Sequence, residues 1–162
     1  MADIIIALGS NLGDRLLHMS NAKAHLKTIA GDTFIASSLF ETEPVGPATY
    51  DFLNAVVRMD THLSPQDLLD NLKAFEAYEG RAQNAPKWTA RLIDLDIIAY
   101  GEVQVQSGRL KLPHPEYHKR LFVLEPLLEI YPDWVDPKLK TGIKELIDTA
   151  PKLEVSKTSI NW

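Results

Sequence analysis

The chain has no cysteine among its 162 residues, which excludes a disulfide framework, a zinc ribbon and a thiol nucleophile. It has no run of about 18 apolar residues, so we expect no membrane span. No basic-then-apolar leader follows Met1, so we expect no secretory signal. A Walker-type phosphate loop and a GxGxxG motif are missing too. These absences favour a cytoplasmic protein that would bind any nucleotide without a P-loop.

Basic residues are too few for a general nucleic-acid or membrane-surface binder. There are 17 Lys and Arg against 22 Asp and Glu, and the net charge is −5. The charge is unevenly spread, because residues 81–120 hold seven basic and four acidic side chains. Such a cationic stretch suits a compact anion such as a phosphate chain, although plain solvated surface gives the same pattern. We expect small-molecule partners, no nucleic acid or membrane, and a monomer.

The length predicts one domain over residues 1–162. Apolar patterning predicts strands at 4–8, 33–41, 52–61 and 93–100. Helical spacing predicts one helix at 15–29 and a second from Pro65, with Gly31 and Gly80 just beyond their ends. This order favours an α/β (α+β) fold of the ferredoxin-like, split βαβ type: a mainly antiparallel sheet with helices packed on one face. A hairpin around Gly101 and two helices would form a C-terminal extension.

Asp94 and Asp96 give the sharpest local signal. Side chains alternate between the faces of a strand, so both carboxylates point to one face while Leu95 enters the other. Each carboxylate can ligate a hard cation, and Mg²⁺ takes one or two carboxylates together with phosphate oxygens and water. Two solvated acids on an exposed strand face are the alternative interpretation.

Other side chains fit a phosphate or a flat ring. Arginine offers a bidentate fork to phosphate and lysine a point charge. His114 lies between two prolines that stiffen the backbone, which suits a ligand contact, although a histidine bound to loop carbonyls is more common. Asn54 in an apolar strand must find partners in the backbone or in a heterocycle. We expect His18 at the surface. Candidate phosphate contacts are Lys87, Arg91, His114, Lys119 and Arg120, and Phe52, Trp88 and Phe122 fit either the core or a ring platform.

Five groups of residues then follow one another in a fixed order. They are Gly9-Ser10-Asn11-Leu12-Gly13; Pro44-x-Gly46-Pro47 with Phe52-Leu53-Asn54; Glu76-x-x-x-Gly80-Arg81; Trp88-x-x-Arg91-x-x-Asp94-Leu95-Asp96; and Pro113-His114-Pro115 with Arg120-x-Phe122. Together they resemble the 6-hydroxymethyl-7,8-dihydropterin pyrophosphokinases of the folate pathway over roughly residues 4–130.

The resemblance implies transfer of the β,γ-diphosphate of ATP to the hydroxymethyl group of the pterin, with release of AMP. ATP would be the co-substrate and two Mg²⁺ ions the cofactors, bound by Asp94 and Asp96. These two residues, with Arg81 and Arg91, would be catalytic. Pterin contacts would be Thr42, Glu43, Pro44, Val45, Phe52, Asn54, Trp88 and Phe122. Nucleotide contacts would be Lys73, Glu76, Lys87, Trp88, Arg91, Ile97, Arg109, Lys111, His114 and Arg120.

The sequence also departs from the family pattern. Lys87-Trp88-Thr89-Ala90-Arg91 stands where Arg-Trp-Gly-Pro-Arg is usual, and Gln83, Lys73 and Glu43 replace Arg, Gln and Pro. Thr89 and Ala90 replace a glycine, which permits unusual backbone conformations, and a proline, which makes the backbone rigid. We therefore hypothesise that the loop before Asp94 closes more weakly over the substrates. On the residues alone, a two-carboxylate nucleotidyltransferase and a non-catalytic nucleotide-binding module stay open as alternatives.

Overall fold

The computed structural model describes residues 2–43, 51–82 and 92–162, with the backbone alone for residues 81 and 82. The elements of these ranges are β1 (Ile4–Ser10), α1 (Arg15–Ile29), β2 (Phe34–Ala36), β3 (Phe40–Thr42), β4 (Phe52–Met59), α2 (Pro65–Ala82), β5 (Asp94–Tyr100), β6 (Val105–Ser107), β7 (Leu110–Leu112), α3 (Leu121–Ile130), α4 (Ile143–Thr149) and β8 (Val155–Lys157). A 3-10 turn, Tyr117–Lys119, precedes α3. None of the helices in these ranges has the length and apolar character needed to span a membrane.

The main sheet is antiparallel and has the strand order β5-β1-β4-β3-β8, with β2 paired to the other end of β4. The interior strand β1 places Ile4 opposite Met59 of β4 and Tyr100 of β5. This is the order of a split βαβ, ferredoxin-like sheet, so the predicted fold class is confirmed. Strands β6 and β7 form a separate hairpin.

Helices cover both faces of the sheet. On one face α1 and α2 pack over Ile4, Ile6 and Leu8 of β1, and on the other face α3 and α4 pack over Ile5 and Ala7. The uninterrupted apolar run of β1 therefore reflects burial on both sides. The sequence predicts helices on one face of the sheet, and these are α1 and α2. The C-terminal extension, with α3 and α4, covers the opposite face.

Side-chain caps fix the starts of α1 and α2. The Oγ of Ser64 accepts a hydrogen bond from the backbone N–H of Asp67 at 3.2 Å, and Pro65 fills the first position of α2. At α1 the Asp14 carboxylate accepts from the N–H of Leu17 at 3.1 Å. The sequence signals for the start of α2 are thus confirmed.

Helix α1 ends at Ile29 as predicted, although Gly31 is not its cap, and the predicted end of α2 before Gly80 is wrong. Ala30, whose N–H bonds to the carbonyl of Leu26, is the C-cap of α1, and Gly31 lies one residue beyond it. Helix α2 runs through Gly80 to Ala82, so this glycine is an interior residue. A glycine near the end of a helical pattern permits a left-handed cap but does not impose one.

Three local expectations also fail. Residues 33–41 form two short strands because the Oγ of Ser37 accepts the N–H of Val56, which replaces a backbone ladder bond. The hairpin turn lies at Gly108, in the left-handed region with φ 55°, between β6 and β7 rather than at Gly101. His18 is buried, with its Nδ1 2.9 Å from the Glu79 carboxylate, 61 residues away in the chain.

Candidate active site

A cavity of about 460 Å³ opens on the sheet face that α3 covers. This volume falls in the range of pockets that hold small molecules. Its walls come from four strands, the start of α3 and the chain after α4. The lining residues are Ala7, Leu8, Gly9, Thr42, Phe52, Asn54, Asp94, Asp96, Ile98, Lys119, Arg120, Phe122, Val123, Pro151, Lys152 and Leu153.

Strand register explains why polar side chains meet on this face. Gly9 of β1 lies directly opposite Asp94 of β5 on one side and Asn54 of β4 on the other. Directly paired residues of an antiparallel sheet point to the same face, so the carboxylate and the amide flank the glycine. Gly9 leaves the floor between them open, since a Cβ there would lie 3.1 Å from the Oδ1 of Asn54.

The two carboxylates line the cavity as strand alternation predicts. Asp94 and Asp96 are half-buried, and Leu95 between them is buried in the cluster on the opposite face. Within the described ranges no three His, Asp or Glu side chains come together as a metal cage. Two hard oxygen donors open to a cavity fit Mg²⁺, which completes its shell with substrate oxygens and water.

A buried side chain of α2 holds this strand. Glu76 accepts a hydrogen bond from the N–H of Leu95 at 2.7 Å, and its other oxygen lies 3.2 Å from the Nζ of Lys73. Neither Lys73 nor Glu76 lines the cavity. Glu76 thus contacts the backbone of the strand that carries the two carboxylates, from outside the cavity.

The amide end of the cavity is formed by Asn54 and Thr42. Asn54 is 4% exposed and Thr42 is 2% exposed, and the Nδ2 of Asn54 donates to the Oγ1 of Thr42 at 2.6 Å. This bond fixes the orientation of the amide in an otherwise apolar strand. Phe52 and Phe122 line the same cavity, so aromatic surface surrounds an oriented polar group, an arrangement that suits a flat heterocycle.

Cationic side chains reach the cavity at the start of α3. Lys119 and Arg120 both line it, and the exposed Lys119 ammonium lies 3.6 Å from the Glu116 carboxylate. The guanidinium of Arg120 lies 5.8 Å from the centre of the Phe122 ring. Negative charge on β5 and positive charge at α3 thus face one space.

His114 lies beside this group. Its backbone N–H donates to the carbonyl of Ile98 at 2.8 Å, which fixes it to β5. Burial lowers the pKa of the His114 imidazole, Arg120 acts in the same direction and the Asp96 carboxylate acts against them. The backbone N–H of Glu116 donates to the Nδ1 at 3.0 Å, so the neutral ring carries its proton on Nε2.

Eight of the candidate residues named from the sequence line the cavity: Thr42, Phe52, Asn54, Asp94, Asp96, Lys119, Arg120 and Phe122. Others lie elsewhere. Ile97 is buried in the cluster under α1 and α2, Arg109 pairs with Asp70 at 3.0 Å on the surface, and Lys111 and Glu43 are exposed. Pro44, Val45, Gln83, Lys87, Trp88, Thr89, Ala90 and Arg91 lie outside the described residues, as does the side chain of Arg81.

Pro151, Lys152 and Leu153 also line the cavity, and no sequence pattern predicts them there. Gly9 belongs to a quoted motif, but its place between the carboxylate and the amide follows only from the sheet register.

Fold and site together define a ferredoxin-like α/β protein with a carboxylate-bearing cleft for a small ligand. The family model described as 7,8-dihydro-6-hydroxymethylpterin-pyrophosphokinase (HPPK) matches residues 5–132, and the chain belongs to this family. It is therefore an enzyme, a diphosphotransferase, and its activity is pyrophosphoryl transfer to hydroxymethyldihydropterin in folate biosynthesis. The two alternatives left open by the residues are not favoured.

Relatives of similar length support this assignment. A protein of Synechocystis sp. named 2-amino-4-hydroxy-6-hydroxymethyldihydropteridine pyrophosphokinase is 41% identical over 145 residues, which cover 89% of this chain and 74% of that protein. A protein of Haemophilus influenzae with the same name is 38% identical over 149 residues, covering 91% of this chain and 92% of that one.

Solved structures show the same fold. An HPPK-DHPS chain in complex with substrates superposes with a TM-score of 0.72 at 12% identity, covering 91% of this chain and 43% of that chain. A Plasmodium falciparum HPPK-DHPS triple mutant superposes with a TM-score of 0.70 at 14% identity, covering 91% and 44%. The chain thus spans less than half the length of these solved structures.

Proposed function

We propose that the cavity binds both reactants, with the reduced pterin at the Asn54 end and the triphosphate of ATP between Asp96 and Arg120. The observation that carries this proposal is that a carboxylate pair, an oriented amide, aromatic side chains and cations all line one cavity. A pterin has a flat ring with donors and acceptors along its edge, which an amide between aromatic side chains can bind. A triphosphate requires positive charge.

We further propose that the reaction depends on Mg²⁺ and that Asp94 and Asp96 hold two ions. When bound, Mg²⁺ neutralises phosphate charge and orients the phosphate chain. The two carboxylates support this role because they lie on one strand face and open to the cavity that contains Arg120.

The remaining chemistry is positioning of two substrates. The oxygen of the pterin hydroxymethyl group bonds to the β-phosphorus while the bond from that phosphorus to the oxygen shared with the α-phosphate breaks. AMP leaves with that oxygen, and the hydroxyl proton is released. No protein nucleophile is needed, because orientation and electrostatic stabilisation supply most of the catalysis in phosphoryl transfer.

The residues of this chain would then have separate tasks. Asn54 would orient the pterin, Phe122 would stack on its ring, and Arg120 would stabilise charge on the phosphate oxygens. His114 is a neutral hydrogen-bond donor through Nε2, suited to a phosphate or ribose oxygen. Arg81 and Arg91 remain predicted phosphate ligands on the basis of the sequence.

The experiment that tests this function is AMP release from ATP by the purified chain. We expect AMP only when both Mg²⁺ and 6-hydroxymethyl-7,8-dihydropterin are present, and none after addition of EDTA. AMP formed without the pterin would contradict the acceptor, and full activity in EDTA would contradict the metal. Size-exclusion chromatography with light scattering tests the monomeric state that we also propose.

A further inference from the structure

The chain between α4 and β8 crosses from the helices that cover the sheet to the edge strand β8, and on the way it lines the cavity. We refer to residues 151–153 as the crossing segment. It is anchored at both ends, because Ile143 and Leu146 of α4 and the following Ala150 are buried in the cluster beneath α3, and β8 pairs with β3. Its path is therefore set by packed structure on either side.

The crossing segment forms a wall at the amide end of the cavity. The sheet order runs from β5, which carries the carboxylates, across β1 and β4 to β3 and β8. Thr42 of β3 lies opposite Val155 of β8, two residues after Leu153. Thr42 is also the residue that accepts the hydrogen bond of Asn54. The segment therefore closes the cavity at the end that orients the pterin in the proposed function.

Leu153 has three properties expected of a residue that lines a binding cavity. It is half-buried, packs against the cluster beneath α3 and lines the cavity. Phe122 shares all three properties. Two apolar side chains that line one cavity can enclose a flat ring and remove its apolar surface from water.

Leu153 also lies outside the part of the chain that the family model matches, which ends at residue 132. We propose that Leu153 is a pterin-binding residue, supplied by the C-terminal part of the chain and acting on the affinity for the pterin rather than for ATP. This inference rests on the proposed function, because it assumes that the Asn54 end receives the pterin.

The test compares Leu153→Ala with Ile160→Ala. Both substitutions remove the same number of carbon atoms from the C-terminal part of the chain, but Ile160 is 39% exposed, lies beyond β8 and does not line the cavity. The readouts are kcat, KM for the pterin and KM for ATP in the AMP-release assay with Mg²⁺. Thermal unfolding of each variant verifies folding.

We expect Leu153→Ala to raise KM for the pterin about tenfold, since loss of apolar groups from a binding pocket costs affinity on this scale. KM for ATP should change by less than about twofold, because Leu153 is proposed to contact the pterin and not ATP. Ile160→Ala should match the unsubstituted chain. If Leu153→Ala does not fold, Leu153→Val should show a smaller rise of the same kind.

Three results would overturn the inference: an unchanged pterin KM in a folded Leu153 variant, equal changes in Leu153→Ala and Ile160→Ala, or a rise in the ATP KM as large as that for the pterin. A failure of the proposed function is distinguishable, because it shows in the unsubstituted chain as AMP release that does not depend on the pterin.

Discussion

The carboxylate of Glu76 accepts a hydrogen bond from the backbone N–H of Leu95 at 2.7 Å, so helix α2 is tied to strand β5 at the residue between Asp94 and Asp96. Glu76 is 5% exposed and comes from the face of the sheet opposite the cavity. The position of the two carboxylates therefore depends on a contact behind the strand that carries them.

Substitution of Glu76 tests this dependence. Glu76→Ala leaves the N–H of Leu95 without its acceptor, which costs about 2 kcal/mol of unfolding free energy. It also loosens β5, so kcat should fall by about tenfold or more. Glu76→Gln keeps an acceptor oxygen and should retain most of the stability. Urea unfolding and steady-state kinetics measure both effects, and a Glu76→Ala variant with unchanged stability and kcat would contradict the role.

Loss of Asp96 should separate catalysis from folding. Asp96→Ala removes one proposed metal ligand and relieves repulsion with Asp94, so the fold should remain while turnover falls by more than about 100-fold. Asp148→Ala, at an exposed position of α4, is the matched control and should leave activity unchanged. Circular dichroism verifies folding. Normal turnover in a folded Asp96→Ala variant would refute the metal assignment.

A methyl group at Gly9 should disturb the pterin end of the site. Gly9 has no left-handed φ, so alanine fits its backbone, but the new Cβ would lie 3.1 Å from the Oδ1 of Asn54. The amide must shift, and we expect the pterin KM to rise about tenfold. Gly142→Ala, which meets no atom within 4 Å, is the control. Equal kinetics for the two variants would show that the Asn54 position tolerates the shift.

Local patterns predicted the parts of the site that lie on single elements. Period-2 alternation placed Asp94 and Asp96 on one face, and the oddity of an amide in an apolar strand singled out Asn54. Both features depend on residues that are close together in the sequence. The same holds for the start of α2 at Ser64.

What the sequence could not predict depends on contacts between distant segments. Leu153 reaches the cavity because β8 pairs with β3, more than 100 residues earlier, and the three-residue β8 has no strand pattern of its own. The sequence predicts His18 at the surface, because nothing near it in the chain indicates its partner Glu79 on another helix. A buried hydrogen-bonded pair of this kind carries no periodic signal.

Glu129 links stability to pH through the same C-terminal strand. One of its oxygens accepts from the Ser38 N–H at 2.6 Å, and the other lies 2.7 Å from the Nζ of Lys157 in β8. Burial works to raise the pKa of Glu129, but the hydrogen bonds from Lys157 and Ser38 outweigh it and lower the pKa. A carboxyl whose pKa is lower in the folded state stabilises the fold above its unfolded pKa, and this contribution is lost as the pH falls through the folded pKa.

We therefore expect Glu129→Gln to lower the free energy of unfolding by about 1 kcal/mol at pH 7 and by progressively less as the pH falls below about 4.5. Urea unfolding of the two proteins from pH 7 to pH 3 measures the difference. Glu102→Gln, at an exposed position, should show no such trend. A difference between the native chain and Glu129→Gln that stays constant or grows toward pH 3 would show that the charge of Glu129 does not hold β8 against α3.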